Sequence, residues 1–208
     1  MGAFKTVGLR WWPHAMAAVA TLAIGFVLGD RMGDAEPLRP TYHDTRVVHP
    51  EDFTSLIVPE APAVVALAHR LGSLEAAYAF VRDRIAFEPS APAGSPEQTL
   101  REERASCLGK AALLTSLCRA LGVPADNIRV FTGQVPLGDA VLDHAWVDLE
   151  YGSMCLQLDP TDLLGTHDFL RFPGQEYVRS FVSREMFCFN DAGFAVVSQL
   201  NRLKGRHP

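Results

Sequence analysis

Three side chains that together could carry out acyl transfer follow one another along the chain: Cys107, His144 and Asp159. Cys107 stands where a loop becomes a long apolar helix, and a helix start offers free N–H groups and partial positive charge that favour a thiolate. A thiolate nucleophile needs a histidine to move protons and a further group to orient that histidine. The sequence therefore offers Cys107 as candidate nucleophile, His144 as candidate base and Asp159 as candidate orienting group.

A predicted hairpin brings the histidine and the aspartate close together. In residues 144–151 and 154–159, every second side chain is apolar, as expected for strands with one buried face. Gly152-Ser153 between the two segments suits a type II′ turn. The resulting register sets apolar residues opposite one another: Tyr151 and Met154, Leu149 and Leu156, Val147 and Leu158. Asp159 then lies diagonal to His144, where Cβ atoms are about 7–8 Å apart and a carboxylate can reach an imidazole N–H.

The helix that should carry Cys107 is predicted to be central and buried. Few polar residues interrupt it, Gly122 ends it and Pro124 prevents its continuation. Periodicity and capping residues predict further elements: helices at 61–71, 74–85 and 96–104, and a strand at 127–135. Beyond Asp159 the pattern favours a helix at 175–187 and leaves 192–203 open between strand and helix. Helices followed by strands indicate an α+β domain.

Three segments resemble the transglutaminase-like superfamily. They are ERASCLGKAALLTSLCRALGVPA at 103–125, HAWVDL at 144–149 and LDPT at 158–161. The resemblance covers about residues 74–162, and it is specific as a combination: a cysteine at a helix start, a Leu-Gly-Val-Pro-Ala helix end, His-Ala-Trp on a strand, then Asp-Pro-Thr. One departure is Ser106, which stands where the family often has glycine.

The resemblance implies a papain-like fold, in which a central helix carrying the cysteine packs on an antiparallel sheet carrying histidine and aspartate. It implies thiol acyl transfer on peptide or protein amides without a cofactor, by hydrolysis, deamidation or cross-linking. Cys107 would be the nucleophile, His144 the general base and acid, and Asp159 the orienting acid. The Cys107 N–H is the expected oxyanion donor, and Gln98 is a candidate for the second donor.

The first part of the chain is of a different kind. Residues 11–29 contain no charged side chain and are about as long as the 20 or so apolar residues that span a bilayer. Lys5 and Arg10 precede the segment, which predicts an N-terminus inside and the remainder outside. Four regions are therefore expected: a cytoplasmic N-terminus at 1–10, a transmembrane signal anchor at 11–29, a linker at 30–53 and the transglutaminase-like domain at 54–208.

This organisation predicts a single-pass protein of the inner membrane with its catalytic domain in the periplasm. Two other interpretations of the segment stay open. A cleaved signal peptide would leave the domain secreted, and a buried core helix would leave it unanchored. The net charge of −5 and pI near 5.8 give no basic patch for nucleic acid, so the expected partners are a peptide or protein substrate and the membrane.

The remaining cysteines and histidines do not form a metal-ligand pattern. There is no CxxC, and His43, His49, His69 and His167 show no ligand spacing, so no metal is predicted. Cys118 is expected to be inert core. An exported domain would permit a disulfide, for which Cys155 and Cys188 are the candidate pair, although sequence does not fix connectivity.

Two other functions compete with a thiol hydrolase or transferase. An acetyl-CoA-dependent N-acyltransferase uses a similar site, but export separates the protein from a cytoplasmic cofactor. A non-catalytic binding or assembly module could keep the fold and a vestigial triad. An open groove at Cys107, with its sulfur near the His144 ring, would favour the enzyme.

Overall fold

The computed structural model describes residues 49–163 and 168–197. The predicted N-terminus at 1–10, the predicted anchor at 11–29 and nearly all of the predicted linker at 30–53 lie outside the described residues.

Five helices precede the sheet in the described part of the chain: α1 (Pro50–Thr54), α2 (Pro62–Leu71), α3 (Leu74–Arg84), α4 (Pro96–Glu102) and α5 (Cys107–Ala120). Serine side chains cap three of them, since Ser73, Ser95 and Ser106 accept the N–H of the residue three positions on. The predicted helices are thus confirmed, with ends that differ by a few residues. No single one of these helices has the length and apolarity to cross a membrane; α2 and α3 meet that test only as a pair bent by 113°.

Helix α5 is the centre of the domain and is buried on all sides. Every residue from Cys107 to Cys118 is buried, which confirms the expectation from its few polar positions. Lys110 is included, and its Nζ donates to the carbonyls of Arg82 at 3.1 Å and Ile85 at 2.6 Å, at the end of α3. Burial lowers the pKa of Lys110 to about 8. The ammonium therefore joins two helices from inside the core.

An antiparallel sheet of five strands packs against α5, in the order β5-β4-β3-β6-β7. The strands are β3 (Ile128–Leu137), β4 (Ala140–Tyr151), β5 (Met154–Leu158), β6 (Arg184–Asn190) and β7 (Gly193–Val196). A separate parallel pair joins β1 (Ala86–Phe87) to β2 (Arg104–Ala105). Helices on an antiparallel sheet confirm the predicted α+β class.

The predicted hairpin register is confirmed. Tyr151 pairs with Met154, Leu149 with Leu156 and Val147 with Leu158. Gly152 has a φ of +62°, as the first position of a type II′ turn requires. The apolar face of this hairpin belongs to the main core with α5.

The other face of the sheet has its own small core, which the sequence did not indicate. Trp146, Phe172 and Tyr177 form it, and Tyr177 comes from α6 (Glu176–Phe181). The predicted helix at 175–187 is therefore wrong in its second half, because the chain from Arg184 onward pairs with β3 as strand β6. The strand expected at 127–135 also runs further, to Leu137.

The suggested Cys155–Cys188 disulfide is wrong. All four cysteines lie in the described residues, and no disulfide joins any of them. Cys155 lies on β5 and Cys188 on β6, with β4 and β3 between them. Three strand spacings amount to about 14 Å, whereas a disulfide needs Cα atoms within about 7 Å.

Candidate functional site

Cys107 is the first residue of α5, where the preceding serine organises the helix start. The Ser106 hydroxyl accepts the Gly109 N–H at 3.5 Å and the Ser106 carbonyl accepts the Lys110 N–H at 2.9 Å. Ser106, the residue that departs from the family pattern, is thus the N-cap. Cys107 and Leu108 belong to this first turn. N–H groups there have no partner within the helix, so these two are the expected donors to an anionic oxygen.

His144 and Asp159 meet beyond the paired part of the β4–β5 hairpin. The last pair is Val147 with Leu158, so Asp159 leaves the sheet immediately after its strand. His144 Nε2 lies 3.1 Å from Asp159 Oδ2, an ion-pair distance, although the N–H is not aligned for a hydrogen bond. Both residues are almost fully buried, with 2% and 1% of their surface exposed. The structure brings together the two residues that the register placed on a diagonal.

The charge of Asp159 decides the protonation of this pair. Burial disfavours a charged imidazole, but the negative charge of the Asp159 carboxylate 3.1 Å away outweighs it and raises the pKa of His144. Burial likewise disfavours the carboxylate, but the His144 charge and the two hydrogen bonds from Thr161 lower the pKa of Asp159. The pair is therefore poised as imidazolium and carboxylate.

Cys107 completes the group, because its side chain lines the same cleft as His144 and lies near enough to help raise the pKa of the imidazole. Since Nε2 of the ring faces Asp159, the nitrogen available to the thiol is Nδ1. The structure thus brings all three candidate residues into one group, with the imidazole next to the carboxylate and the thiol in the cleft beside the imidazole. Their catalytic roles stay predictions.

Three further residues hold Asp159, and sequence reasoning missed all of them. Thr161 donates to Oδ1 twice, from its N–H at 2.9 Å and its hydroxyl at 2.6 Å. The Tyr177 hydroxyl donates to Oδ2 at 3.1 Å, and the Tyr78 hydroxyl donates to the Asp159 carbonyl at 3.1 Å. Thr161 had a signal in the Asp-Pro-Thr turn, since an Asp side chain often accepts the N–H two residues on. The two tyrosines had none.

A polar network on the second face of the sheet anchors α6 and with it Tyr177. Gln157 accepts the Val178 N–H at 3.1 Å and donates to Asp148 at 3.2 Å, which also accepts the Trp146 indole N–H at 3.1 Å. Burial raises the pKa of Asp148 to about 7, although the two hydrogen bonds by themselves would lower it. The residue is half-buried, so part of it still contacts solvent. Asp148 and Gln157 therefore act on the site indirectly, by fixing the helix that carries Tyr177.

A cleft opens beside the thiol and the imidazole. The cleft is shallow: its enclosed space is about 20 Å³, and its empty space is about 290 Å³ when the part open to solvent is included. Nine residues line it: Phe53, Cys107, Leu108, Thr132, Asp143, His144, Ala145, Met186 and Phe187. An entrance of this kind is what acyl transfer from a peptide needs, because the carbonyl must reach the sulfur.

Gln98, the candidate second oxyanion donor, lies on α4 and is not among the residues that line the cleft. Its amide N–H donates to Glu102 on the same helix at 2.9 Å. The structure therefore gives Gln98 a local helix contact, and its oxyanion role stays a prediction. No group of three or more His, Cys, Asp or Glu within residues 49–163 and 168–197 could hold a metal ion.

Residues 63–160 match the model of the transglutaminase-like superfamily. That span contains Cys107, His144 and Asp159, together with α2 to α5 and β3 to β5. No curated protein matches the chain.

Several solved structures are similar to this chain at low identity. The "Putative Cysteine Protease" from Cytophaga hutchinsonii is 19% identical with a TM-score of 0.46, over 67% of this chain and 50% of that one, so this chain spans half its length. Calcium-bound LapG of Legionella pneumophila is 17% identical with a TM-score of 0.47, over 65% and 75%. EGTA-treated LapG is 16% identical with a TM-score of 0.47, over 64% and 72%.

Proposed function

From the transglutaminase-like domain that this chain carries at residues 63–160, we infer a thiol-dependent acyl-transfer enzyme that acts on peptide or protein amides. The observation that supports this most strongly is that Cys107 and His144 line one cleft, while Asp159 lies 3.1 Å from the His144 ring on its other side. A buried core cysteine would need neither the imidazole nor the opening.

The proposed reaction begins with attack of the Cys107 sulfur on the carbonyl carbon of an amide. The carbonyl oxygen becomes anionic and takes hydrogen bonds from the N–H groups at the start of α5. His144 gives its proton to the nitrogen as the carbon–nitrogen bond breaks, so the amine leaves neutral and an acyl thioester remains on Cys107. Asp159 stabilises the imidazolium throughout the first step.

The thioester is then released by a second nucleophile. His144, neutral after the first step, takes a proton from water as the water oxygen attacks the thioester carbon. The carbon–sulfur bond breaks, and the acid product and the thiolate–imidazolium pair are restored. An amine in place of water would give transfer instead of hydrolysis.

We also propose that the reaction takes place outside the cytoplasm, on a membrane-anchored domain. Support comes from the uncharged segment 11–29 and the basic residues that precede it. An exported enzyme of this type would act on amides of exported proteins or of wall peptides.

Thiol labelling of the full chain tests the proposed chemistry without knowledge of the substrate. Iodoacetamide should modify Cys107 faster than the other three cysteines, as measured by peptide mass spectrometry. Cys107→Ala should abolish the fast phase, and His144→Ala should slow it about tenfold or more, because the imidazole no longer supports the thiolate.

Cys155→Ala is the matched control, because Cys155 is half-buried on β5 and is not among the residues that line the cleft. It should keep the fast phase. Equal labelling of all four cysteines, or a fast phase that survives in Cys107→Ala, would contradict the proposed enzyme.

A further inference from the structure

We propose that the cleft beside Cys107 is a subsite for an apolar side chain of the substrate, with a wall formed by Phe53, Met186 and Phe187. The proposal rests on the acyl-transfer function above and specifies its substrate class: peptide amides flanked by an apolar residue. We call these three residues the apolar wall.

The interior of the cleft is apolar because its polar residues turn their polar atoms elsewhere. The Thr132 hydroxyl donates to the Phe187 carbonyl at 3.2 Å. Both carboxylate oxygens of Asp143 are buried from solvent. The Nε2 atom of His144 faces Asp159. Apart from the reacting thiol and imidazole, a bound side chain would therefore meet hydrocarbon.

Phe53 is a fixed part of this wall. It belongs to α1, and its ring packs on three aromatic rings of β6 and β7, at centroid distances of 4.8 Å from Phe187, 5.4 Å from Phe189 and 5.8 Å from Phe194. Aromatic rings at these distances and tilted angles hold each other in place. Met186 is half-buried on β6, and an unbranched thioether can adjust to the shape of a ligand. One side of the subsite is thus rigid and the other adaptable.

The apolar wall lies outside the part of the chain that matches the superfamily. Phe53 precedes residue 63, and Met186 and Phe187 follow residue 160, whereas Cys107, His144 and Asp159 lie within the match. The proposed reacting groups thus lie within the matched span, and the three residues of the apolar wall come from the segments on either side of it.

The physical consequence is discrimination by side-chain polarity. An apolar side chain leaves water on entering the cleft, whereas an Asp or Lys side chain would lose hydration without gaining a partner. Differences of a single methylene group in such pockets give roughly 10-fold to 200-fold discrimination. Discrimination against a charge should be at least as large.

The test uses peptidyl acyloxymethyl ketones of one length that differ only in the side chain next to the reactive carbonyl: Leu, Ala, Asp or Lys. Intact-mass measurements on the full chain give the rate constant for modification of Cys107 by each probe. The Leu probe should react at least tenfold faster than the Asp or Lys probe. Phe53→Ala should reduce that ratio several-fold, because it removes one of the three side chains of the apolar wall.

Phe194→Ala is the matched control, since Phe194 shares the aromatic packing but is not among the residues that line the cleft. It should keep the wild-type ratio. Met186→Lys is a second variant, and it should shift the preference in the opposite direction. The Asp probe should react faster relative to the Leu probe, because a cation at the apolar wall attracts the carboxylate.

The outcomes separate this inference from the function on which it rests. Fast modification of Cys107 by iodoacetamide with equal rates for all four peptidyl probes would overturn the subsite and leave the enzyme standing. A preference that Phe194→Ala reduces as much as Phe53→Ala would also overturn it. Failure of Cys107 to react with iodoacetamide or with any probe would overturn both.

Discussion

Asp159 is the side chain on which the geometry of the site converges. Its Oδ1 accepts two hydrogen bonds from Thr161, and its Oδ2 accepts one from Tyr177 and lies 3.1 Å from His144. A buried carboxylate with so many donors stays charged and does not rotate. The orientation of the His144 ring therefore follows from the turn after β5 and from α6.

Asp159→Asn should lower the pKa of His144, because it removes the charge that opposes the effect of burial. The ring should then titrate closer to or below its ordinary value of 6.5, as NMR of the imidazole carbon-bound protons would show. Activity should fall by about 10²-fold or more, since proton transfer by a positioned base contributes that much.

Asp191→Asn is the control, because Asp191 is a carboxylate paired with Arg119 at 2.8 Å and is not part of the group of Cys107, His144 and Asp159. It should leave the His144 titration unchanged. An Asp159→Asn variant in which the imidazole titrates as in the wild type would show that Asp159 does not set its charge.

The same variant should change how stability depends on pH. The folded-state pKa of His144 is raised, so its contribution to the free energy of unfolding is full below about 6.5 and is lost as pH rises through the folded value. That of Asp159 is lowered, so its contribution is full above about 3.8 and is lost as pH falls through the folded value. Urea midpoints should therefore peak between roughly pH 4 and 6.5, and Asp159→Asn should flatten the profile.

At this scale the sequence indicated the three candidate residues of the site better than the residues that hold them in place. Cys107, His144 and Asp159 were recognisable because a helix start and a strand register constrain them locally. Tyr177 and Phe53 were not, because each reaches the site from a segment without clear periodicity, through contacts distant in sequence. Gln98 was proposed from its amide and its place in the sequence alone, and its oxyanion role stays a prediction beside its hydrogen bond to Glu102.

At the scale of elements, the register between β3 and its neighbouring strands determines where along the sheet the site lies. The pairing of β3 with β6 shifts register between Thr132 and Gly133, and Gly133 pairs with His144 across β3 and β4. A Cβ at Gly133 would lie 2.5 Å from the Arg184 carbonyl oxygen and 2.9 Å from the Trp146 ring. Gly133 is the strand partner of His144. Because it has no Cβ atom, the Arg184 backbone and the Trp146 indole can approach it closely.

Gly133→Ala should destabilise the domain by about 1–3 kcal/mol, because overpacking displaces the strand or the indole. Urea unfolding followed by tryptophan fluorescence measures both the loss and the change around Trp146. Gly193→Ala is the matched substitution in a strand, where nothing lies within 4 Å of the added carbon. It should have an effect near zero, and equal losses in the two variants would refute the close-contact explanation.

Local patterns predicted the elements that local forces determine. Serine caps and proline starts gave the helices before the sheet, and the alternation around Gly152 gave the β4–β5 pairing residue by residue. The segment after Asp159 was read less well. Strand β6 forms because it can pair with the open edge of β3. Its partner lies about 50 residues earlier in the chain, so local sequence does not reveal the pairing.

At the scale of the whole molecule, the prediction to test is that residues 11–29 anchor the domain to a membrane. We expect the full chain to sediment with membranes and to resist extraction at alkaline pH, since about 20 apolar residues suffice to span a bilayer. A variant without residues 1–29 should be released into the soluble fraction. The mass of the native chain distinguishes an anchor from a cleaved signal, because cleavage would remove the first segment.

A soluble native chain of full mass would exclude both forms of export. The control is a variant with Lys5 and Arg10 replaced by Asn, which removes the basic flank and keeps the apolar segment. Reduced or inverted insertion of that variant, measured by protease accessibility of the domain, would support the predicted orientation.

An enzyme that carries an acyl group must keep its own amines away from it. Lys110 follows Cys107 by nearly one turn of α5, and a lysine whose pKa is lowered to about 8 is unusually ready to act as a nucleophile. Its amine is nevertheless held by two carbonyls at the end of α3, inside the core. In the proposed enzyme, the helix contact that stabilises the domain would therefore also protect it from self-acylation and leave the thioester to nucleophiles that enter through the cleft.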